Sequence, residues 1–444
     1  MRPAIAALVL GFLAGCSTAP PPEERVERLW GDALAKAPES ASPAMTPDLG
    51  VPGTPLPLER VLDSARVGHP GLRAARARWT AATQRPDVER APMDPMVEMQ
   101  ADNFEKGTLD LGRAMERTVM LSQTFKWWGK LELRGRKAEQ EAAISGIDAA
   151  EMELEVVGMA AQAYAELAYA KGAVVLANEN LEALKALEQI TQVQYQAGRV
   201  PQKDVLQAQV EVARFGNEIL ELEQMGVSSA AELNRLVGRA PDAPLGEPGL
   251  VDVPEQSSDL GPLYDQARKG RPGIAGKDLE VEKARTDLAI AEKEYFPDVT
   301  VGGGFKDNLG EEEDAWMAAV SVNLPIWFGP RRAAERAAAA EVRAARNEVD
   351  DAVTRVMFEV RDAHNRLETS RKLVRTYESS VVPQAEQNLR ALEEAYRNGR
   401  IGFLDVIDGR RTLYDVRLAH LRARADYAQA LAKLSRAVGA GGGR

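Results

Sequence analysis

Residues 97–104 read Val-Glu-Met-Gln-Ala-Asp-Asn-Phe, with apolar Val97, Met99 and Ala101 alternating against polar Glu98, Gln100 and Asp102. On a strand, that period of two sends apolar side chains to one face and polar ones to the other. The pattern predicts strands over about 96–104 and 118–125. Around them the period lengthens to that of helices, over about Leu58 to Ala91, Gly129 to Gln196 and Lys203 to Val237. No proline stands between Pro95 and Pro201, so the middle helix is free to run unbroken.

The same order then recurs. Ala65 to Leu72 aligns with Ala267 to Ile274 at an offset of 202, and Lys126-Trp127-Trp128-Gly129 aligns with Ile326-Trp327-Phe328-Gly329 at 200. Tyr195, Gly198, Arg199, Asp204 and Val205 meet Tyr396, Gly399, Arg400, Asp405 and Val406 at 201. Such small drift over half a chain marks a duplication with short insertions. In the second copy, strands are predicted over about 298–306 and 315–324, joined by an acidic loop at 307–314, with a long helical segment from Pro330 to Asn398. Pro383 predicts a kink or break in that segment.

Lengths then suggest how each copy folds. The first and last helices of a copy together about match its long helix of roughly 68 residues, so two shorter helices laid end to end run antiparallel to one long one, a rod of about 100 Å. That is about three hydrocarbon thicknesses. Four strands of membrane-spanning length cannot close a barrel, and an open edge in lipid leaves backbone groups unsatisfied. The strands must therefore be pooled with other copies of the chain.

Composition agrees with long helices: 45% of residues are hydrophobic but only 5% aromatic. A net charge of −11 without a basic patch argues against nucleic-acid binding. The first residues carry Arg2, an apolar run and Leu13-Ala14-Gly15-Cys16, a secretion signal too short to span a bilayer. The stretch resembles a bacterial lipobox, with residues 1–15 as signal peptide and Cys16, the sole cysteine, as the site of lipidation, palmitate included; Ser17 after it fits the outer membrane. A Pro-rich tether runs over 16–57 with one short helix around Glu23 to Lys36, then a first repeat at 58–241, a linker at 242–259, a second repeat at 260–439 and a Gly-rich tail at 440–444.

Taken together, the lipobox, the doubled helix-strand-strand-helix-helix order, Gly68-His69-Pro70 and Gly270-Arg271-Pro272, the strand ends around Trp128 and Trp327, and the two Gly-x5-Asp-Val corners resemble the TolC family of outer-membrane efflux proteins. The resemblance implies a mainly α fold with a small β part: as a homotrimer, an α-helical periplasmic tunnel and a twelve-stranded outer-membrane barrel. It implies a lipid-anchored exit duct in the outer membrane of a diderm bacterium. Its partners would be a periplasmic adaptor, an inner-membrane pump of the resistance-nodulation-division class and outer-membrane lipid. Gly129-Lys130-Leu131 resembles the form common in members paired with heavy-metal exporters, which favours metal cations as cargo. Drug efflux and type I protein secretion are the alternatives within transport. A periplasmic coiled-coil adaptor is a rival from another class, but it has no need of alternating strands.

The corners supply the candidate residues. Asp405 and Asp408 share one face at the start of the last helix and match family positions that ring the periplasmic mouth, with Asp204 as the first-copy counterpart. Ordinary N-terminal charge complementing the helix dipole is the plainer account. Tyr396 and Arg400 resemble residues that tie a closed mouth. Gly198 and Gly399 suit corners that need positive φ. Val200, Ile401, Phe403 and Leu404 are expected at the tips, either contacting an adaptor or packing in the corner. Trp127, Trp128, Trp327 and Phe328 come after the strands, where an aromatic girdle or junction packing is expected. His69, His364 and His420 are scattered without ligand spacing and are read as structural, and Met93, Met96 and Met99 suggest a soft-metal relay, but on a strand a spacing of three alternates faces. No metal site, cofactor or enzyme motif is expected.

Overall fold

A helix that runs into a proline loses a hydrogen bond and crowds the residue before it, and both repeats of this chain break at such a point. The computed structural model describes residues 48–102, 116–250, 252–254, 259–308 and 315–440. The expected lipobox at Cys16, the expected helix at 23–36 and most of the acidic loop at 307–314 lie outside the described residues. β1 (Pro55–Leu56) closes the tether, and the first repeat comprises α1 (Leu58–Gly68), α2 (Pro70–Arg90), β2 (Met96–Asp102), β3 (Glu116–Phe125), α3 (Lys130–Gln196) and α4 (Gln202–Leu236). β4 (Glu247–Pro248) lies in the linker, and the second repeat comprises α5 (Leu260–Gly270), α6 (Pro272–Lys293), β5 (Val299–Asn308), β6 (Ala315–Val322), α7 (Phe328–Thr376), a π-helical turn (Tyr377–Val381), α8 (Val382–Arg397) and α9 (Phe403–Ala437).

Two expectations are corrected. The single helix expected over Leu58 to Ala91 is two, because His69 ahead of Pro70 takes extended φ/ψ of −61° and 119°. Arg271 ahead of Pro272 does the same at −82° and 111°. Ahead of Pro383 the chain stays helical, and the expected interruption takes the form of a π-helical turn. The preceding turn widens, so that the Val382 N–H donates to the Tyr377 carbonyl five residues back. A π turn spends one extra residue, and that slack takes up the hydrogen bond and the space a proline ring denies an α-helix. The second long helix also begins at Phe328, two residues ahead of Pro330.

The chain divides into two compact units: residues 77–147 with 276–349, and residues 48–76, 148–275 and 350–440. The first holds an antiparallel sheet in the order β2-β3-β5-β6. Its register aligns Met99, Val119, Phe305 and Trp316 in one cross-strand row, and Val97, Leu121, Gly303 and Ala318 in another. With Phe125, Val299, Val301, Val320 and Val322 these rows make one face mostly apolar, with Arg117 and Gln123 among its members, and most of it is exposed. The opposite face carries Glu98, Gln100, Thr118, Ser122, Thr124, Thr300, Lys306 and Ser321 together with Met96, Met120 and Met317. Among the helices of this unit, Ala82, Ala142 and Ala143 form a small buried cluster with Trp79 and Leu279 packed against it.

In the second unit, β1 and β4 form a short parallel pair. Tyr164 fastens it: its hydroxyl donates to the Leu56 carbonyl at 2.6 Å and accepts from the Gly249 N–H at 3.0 Å. Around that clamp Val61, Leu62, Val157, Leu167, Leu233 and Leu236 form a buried core. A second core gathers Leu184, Leu187, Phe215, Val406, Ile407 and Tyr414, and a third gathers Val360, Leu367, Val374, Tyr427 and Leu434.

Candidate functional site

Helix ends leave carbonyls without partners, and a residue at positive φ lets the following N–H groups turn back to fill them. Gly198 has φ of +70° and Gly399 of +67°. At the first corner Arg199 N–H donates to the Gln194 carbonyl and Gly198 N–H to that of Tyr195, both at 2.9 Å. At the second, Arg400 and Gly399 donate to Ala395 and Tyr396 at the same distances. The duplicated corner is thus one hydrogen-bond motif written twice.

The helix starts beyond the two corners differ. Gly402 caps α9, and its N–H donates to Asp405 Oδ2 at 2.9 Å. Pro201 occupies the equivalent cap of α4 and has no N–H to give. Asp204 is accordingly not held at its cap; it is 7% exposed, whereas Asp405 and Asp408 are both exposed. The expected counterpart of the exposed acids is therefore buried in this chain. Between the tips, Phe403 is 2% exposed and packs in the second core, while its neighbour Leu404 is 36% exposed. Packing is thus Phe403's role, and Leu404 is the large apolar side chain α9 presents there. Val200 and Ile401 are half-buried, and Arg400 is exposed.

Tyr396 joins the two corners. Its hydroxyl donates to Gln194 Oε1 at 2.7 Å, and its ring meets Phe403 edge-on at 6.2 Å. Burial, reinforced by the Asp204 carboxylate, raises its pKa above the ordinary phenol value. The group therefore stays protonated and serves as a donor. Tyr195, its first-copy counterpart, is 40% exposed.

α9 is also laced to its neighbours by pairs that no local pattern announces. Arg410 meets Glu393 and Arg417 meets Glu386 on α8, each at 2.6 Å. On α4, Glu211 takes Arg411 and Glu218 takes the Tyr414 hydroxyl, the latter at 2.7 Å. Arg422 reaches Glu166 on α3 at 2.8 Å. Hydrogen bonding from Arg417 outweighs desolvation and holds the Glu386 carboxyl below its usual range. His420 lies 3.2 Å from Glu378 in the π turn.

At the foot of the sheet, one residue ahead of β5, Asp298 receives Lys126 Nζ at 2.9 Å, the Trp127 N–H at 3.0 Å and Lys130 Nζ at 3.1 Å. Lys130 is 3% exposed and also donates to the Phe296 carbonyl. Burial alone would raise the Asp298 carboxyl, but those three donors outweigh it and set its pKa at about 2. Of the expected aromatics, Trp127 stacks on Phe296 at 5.4 Å and meets Trp128 edge-on at 5.3 Å. Trp128, Trp327 and Phe328 are exposed. The backbones differ too: Gly129 has φ of +84°, whereas Gly329 lies inside α7.

Among the described residues, no group of three or more His, Cys, Asp and Glu could hold a metal ion, and no helix is long and apolar enough to cross a membrane. That limit on the helices says nothing of the two-faced sheet.

A family model described as outer membrane efflux protein matches residues 61–239 and 263–440. The cobalt-zinc-cadmium resistance protein CzcC of Cupriavidus metallidurans is 23% identical, covering 87% of this chain and 90% of that protein. The outer membrane protein TolC of Vibrio cholerae is 24% identical, covering 86% and 90%. Among solved structures, the Campylobacter jejuni CmeC outer membrane channel superposes with a TM-score of 0.74 at 16% identity, covering 86% of each chain.

Proposed function

The chain belongs to the outer membrane efflux protein family, and on that premise we propose that it is the trimeric exit duct of a tripartite efflux system that passes metal cations from periplasm to exterior. One observation carries this reading: the four-stranded sheet has an exposed apolar face, a polar face, and two outer strands, β2 and β6, each paired on one side only. An apolar face suits hydrocarbon and a polar face suits a water-filled lumen, but lipid does not tolerate open edges. Pairing β6 of one copy with β2 of the next closes the ring, and three copies supply twelve strands.

The doubled corner is the candidate periplasmic mouth, as the family resemblance implies. Tyr396, bound to Gln194, holds α8 against α3, and Asp405 and Asp408 supply six carboxylates to the mouth of a trimer. A ring of fixed carboxylates raises local cation concentration and repels anions. Arg400 lies beside that ring. Val200, Ile401 and Leu404 are the tip side chains offered to a periplasmic adaptor, which links the duct to an inner-membrane pump. Trp127, Trp128, Trp327 and Phe328 stand at the membrane boundary, and lipid on Cys16 adds an anchor. Metal cargo is supported by Gly129-Lys130-Leu131 and by the name of the cobalt-zinc-cadmium resistance relative.

Deleting the gene and scoring growth tests the cargo. Sensitivity to cobalt, zinc, copper or silver, with dye and antibiotic tolerance unchanged, is the expected result. The reverse pattern would assign the duct to drugs.

A further inference from the structure

The second unit carries an apolar groove that the duct reading does not use. Leu62 of α1, Leu154, Val157 and Ala161 of α3, and Leu431 and Ala432 of α9 line it. Its volume is about 500 Å³, and Leu431 is left 36% exposed. The groove adjoins the first core, since Leu62, Val157 and Tyr164 belong to both.

The described chain begins beside that groove. Leu49 is fully buried in the first core, and the Leu56 carbonyl accepts the Tyr164 hydroxyl. Just ahead, the sequence holds a pattern the fold has not yet used. Val26, Leu29, Trp30, Ala33 and Leu34 fall at helical spacing on one stripe, while Glu24, Arg25, Glu27, Arg28 and Asp32 fall on the other side. Pro20 to Pro22 precede the stripe and Pro38 follows it, so its ends are set. A helix this short, with Gly31 inside it, is marginal alone and is stabilised by packing its apolar stripe. Residues 37–47 join it to Asp48, and extended they span about 40 Å. The stripe therefore reaches the groove with chain to spare.

We propose that residues 23–36 seat the stripe of Val26, Leu29, Trp30, Ala33 and Leu34 in the groove between α1, α3 and α9. The chemistry matches on both sides: the walls are Leu, Val and Ala, and the stripe is of the same kind with one large aromatic side chain to fill the space. Joined to the body by a short linker, the segment meets the groove at high effective concentration and needs little affinity of its own. The consequence falls on the lipid expected at Cys16. With the segment seated, only residues 17–22 separate that lipid from the helical body, a reach of about 20 Å; unseated, residues 17–47 reach about 100 Å. The groove thus shortens the tether and limits how far the body can stand from the membrane that holds the lipid. It does so whatever the cargo.

Leu431→Cys places a reporter thiol in the groove of the full-length protein. A water-soluble maleimide labels the protein in detergent, and the rate at that position is read by peptide mass, with and without Trp30→Asp plus Leu34→Asp. Both aspartates lie ahead of the described fold and leave its cores untouched. The expected result is slow labelling that speeds up about tenfold or more in the aspartate variant. Equal rates in the two, fast or slow, overturn the docking. Faster labelling with Cys16→Ser, and none with the aspartates, assigns the groove to the acyl chain and overturns it as well. Conductance of the same samples in planar bilayers tests the duct separately, since the docking predicts no change there.

Discussion

The Tyr396 hydroxyl donates to Gln194 Oε1 at 2.7 Å, a bond between residues 202 positions apart that ties one corner helix of each repeat to the other. Phenylalanine at 396 keeps the ring contact with Phe403 and removes the hydroxyl's bonds, to Gln194 and to Thr191 beside it. The expected cost is about 1 kcal/mol, enough to shift the mouth toward an open form. Single-channel recordings of Tyr396→Phe should show larger conductance than wild type. Unchanged conductance would remove Tyr396 from the gate.

The two exposed acids should separate in their effects. Asp405 holds the Gly402 N–H, so Asp405→Ala should cost about 1 kcal/mol of helix stability, while Asp408→Ala should cost little. Asp405→Asn keeps an acceptor. Paired with Asp408→Asn, it should leave melting near wild type and abolish cation preference in reversal-potential measurements. Cation preference surviving in that double variant would show that the carboxylates do not set selectivity.

Charge at the sheet foot makes stability depend on acid. Asp298 has a pKa of about 2 in the folded chain against 3.8 for the free side chain. A depressed carboxyl stabilises above its unfolded value, so the contribution is complete above about pH 4 and is lost as pH falls through about 2. Asp298 is 11% exposed, and the shift corresponds to about 2 to 3 kcal/mol. Asp298→Asn should therefore be less stable at pH 7 and flatter between pH 4 and 2. Fluorescence from Trp127 and Trp128, next to the site, reports it.

The corners owe their shape to local chemistry, and so were legible in advance. Gly198 and Gly399 announce positive φ by themselves, and the alternation from Val97 to Asp102 announces a two-faced strand. The features that eluded local reading are of two kinds. Asp298 with Lys126, and Arg422 with Glu166, are 172 and 256 residues apart, and no spacing rule reaches so far. Other features were present but needed a finer question. Pro201 lacks the N–H that Gly402 offers Asp405, which already separates Asp204 from its counterpart. Phe403 and Leu404 are adjacent, and only the phase of α9 decides which of them is buried. Pro383 announced a disturbance but not its form, since a π turn and a kink answer the same missing hydrogen bond.

Backbone strain alone can be weighed at the corner. A Cβ at Gly198 or Gly399 meets nothing within 4 Å, so Gly→Ala there should cost only the left-handed conformation, about 1 to 2 kcal/mol. Gly198→Asn or Gly399→Asn should cost less. Thermal melts rank the three residues, and an alanine as stable as glycine would mean the corner does not hold positive φ in solution.

The two faces of the sheet should answer charge differently. Leu121→Lys on the apolar face should cost about 2 to 4 kcal/mol if that face meets hydrocarbon, whereas Ser122→Lys, one residue on, should be tolerated. Yield of heat-resistant oligomer in outer-membrane fractions is the readout. Equal yields would argue that the apolar face lies elsewhere than in lipid.

The sheet's two half-paired strands also have a genetic consequence. If every copy completes its neighbour, a chain that folds its helices but carries a proline in β2 or β6 does not merely fail by itself. It enters assemblies with sound copies and spoils them, so such an allele should be dominant over a wild-type gene in the same cell, while one that prevents folding altogether should be recessive.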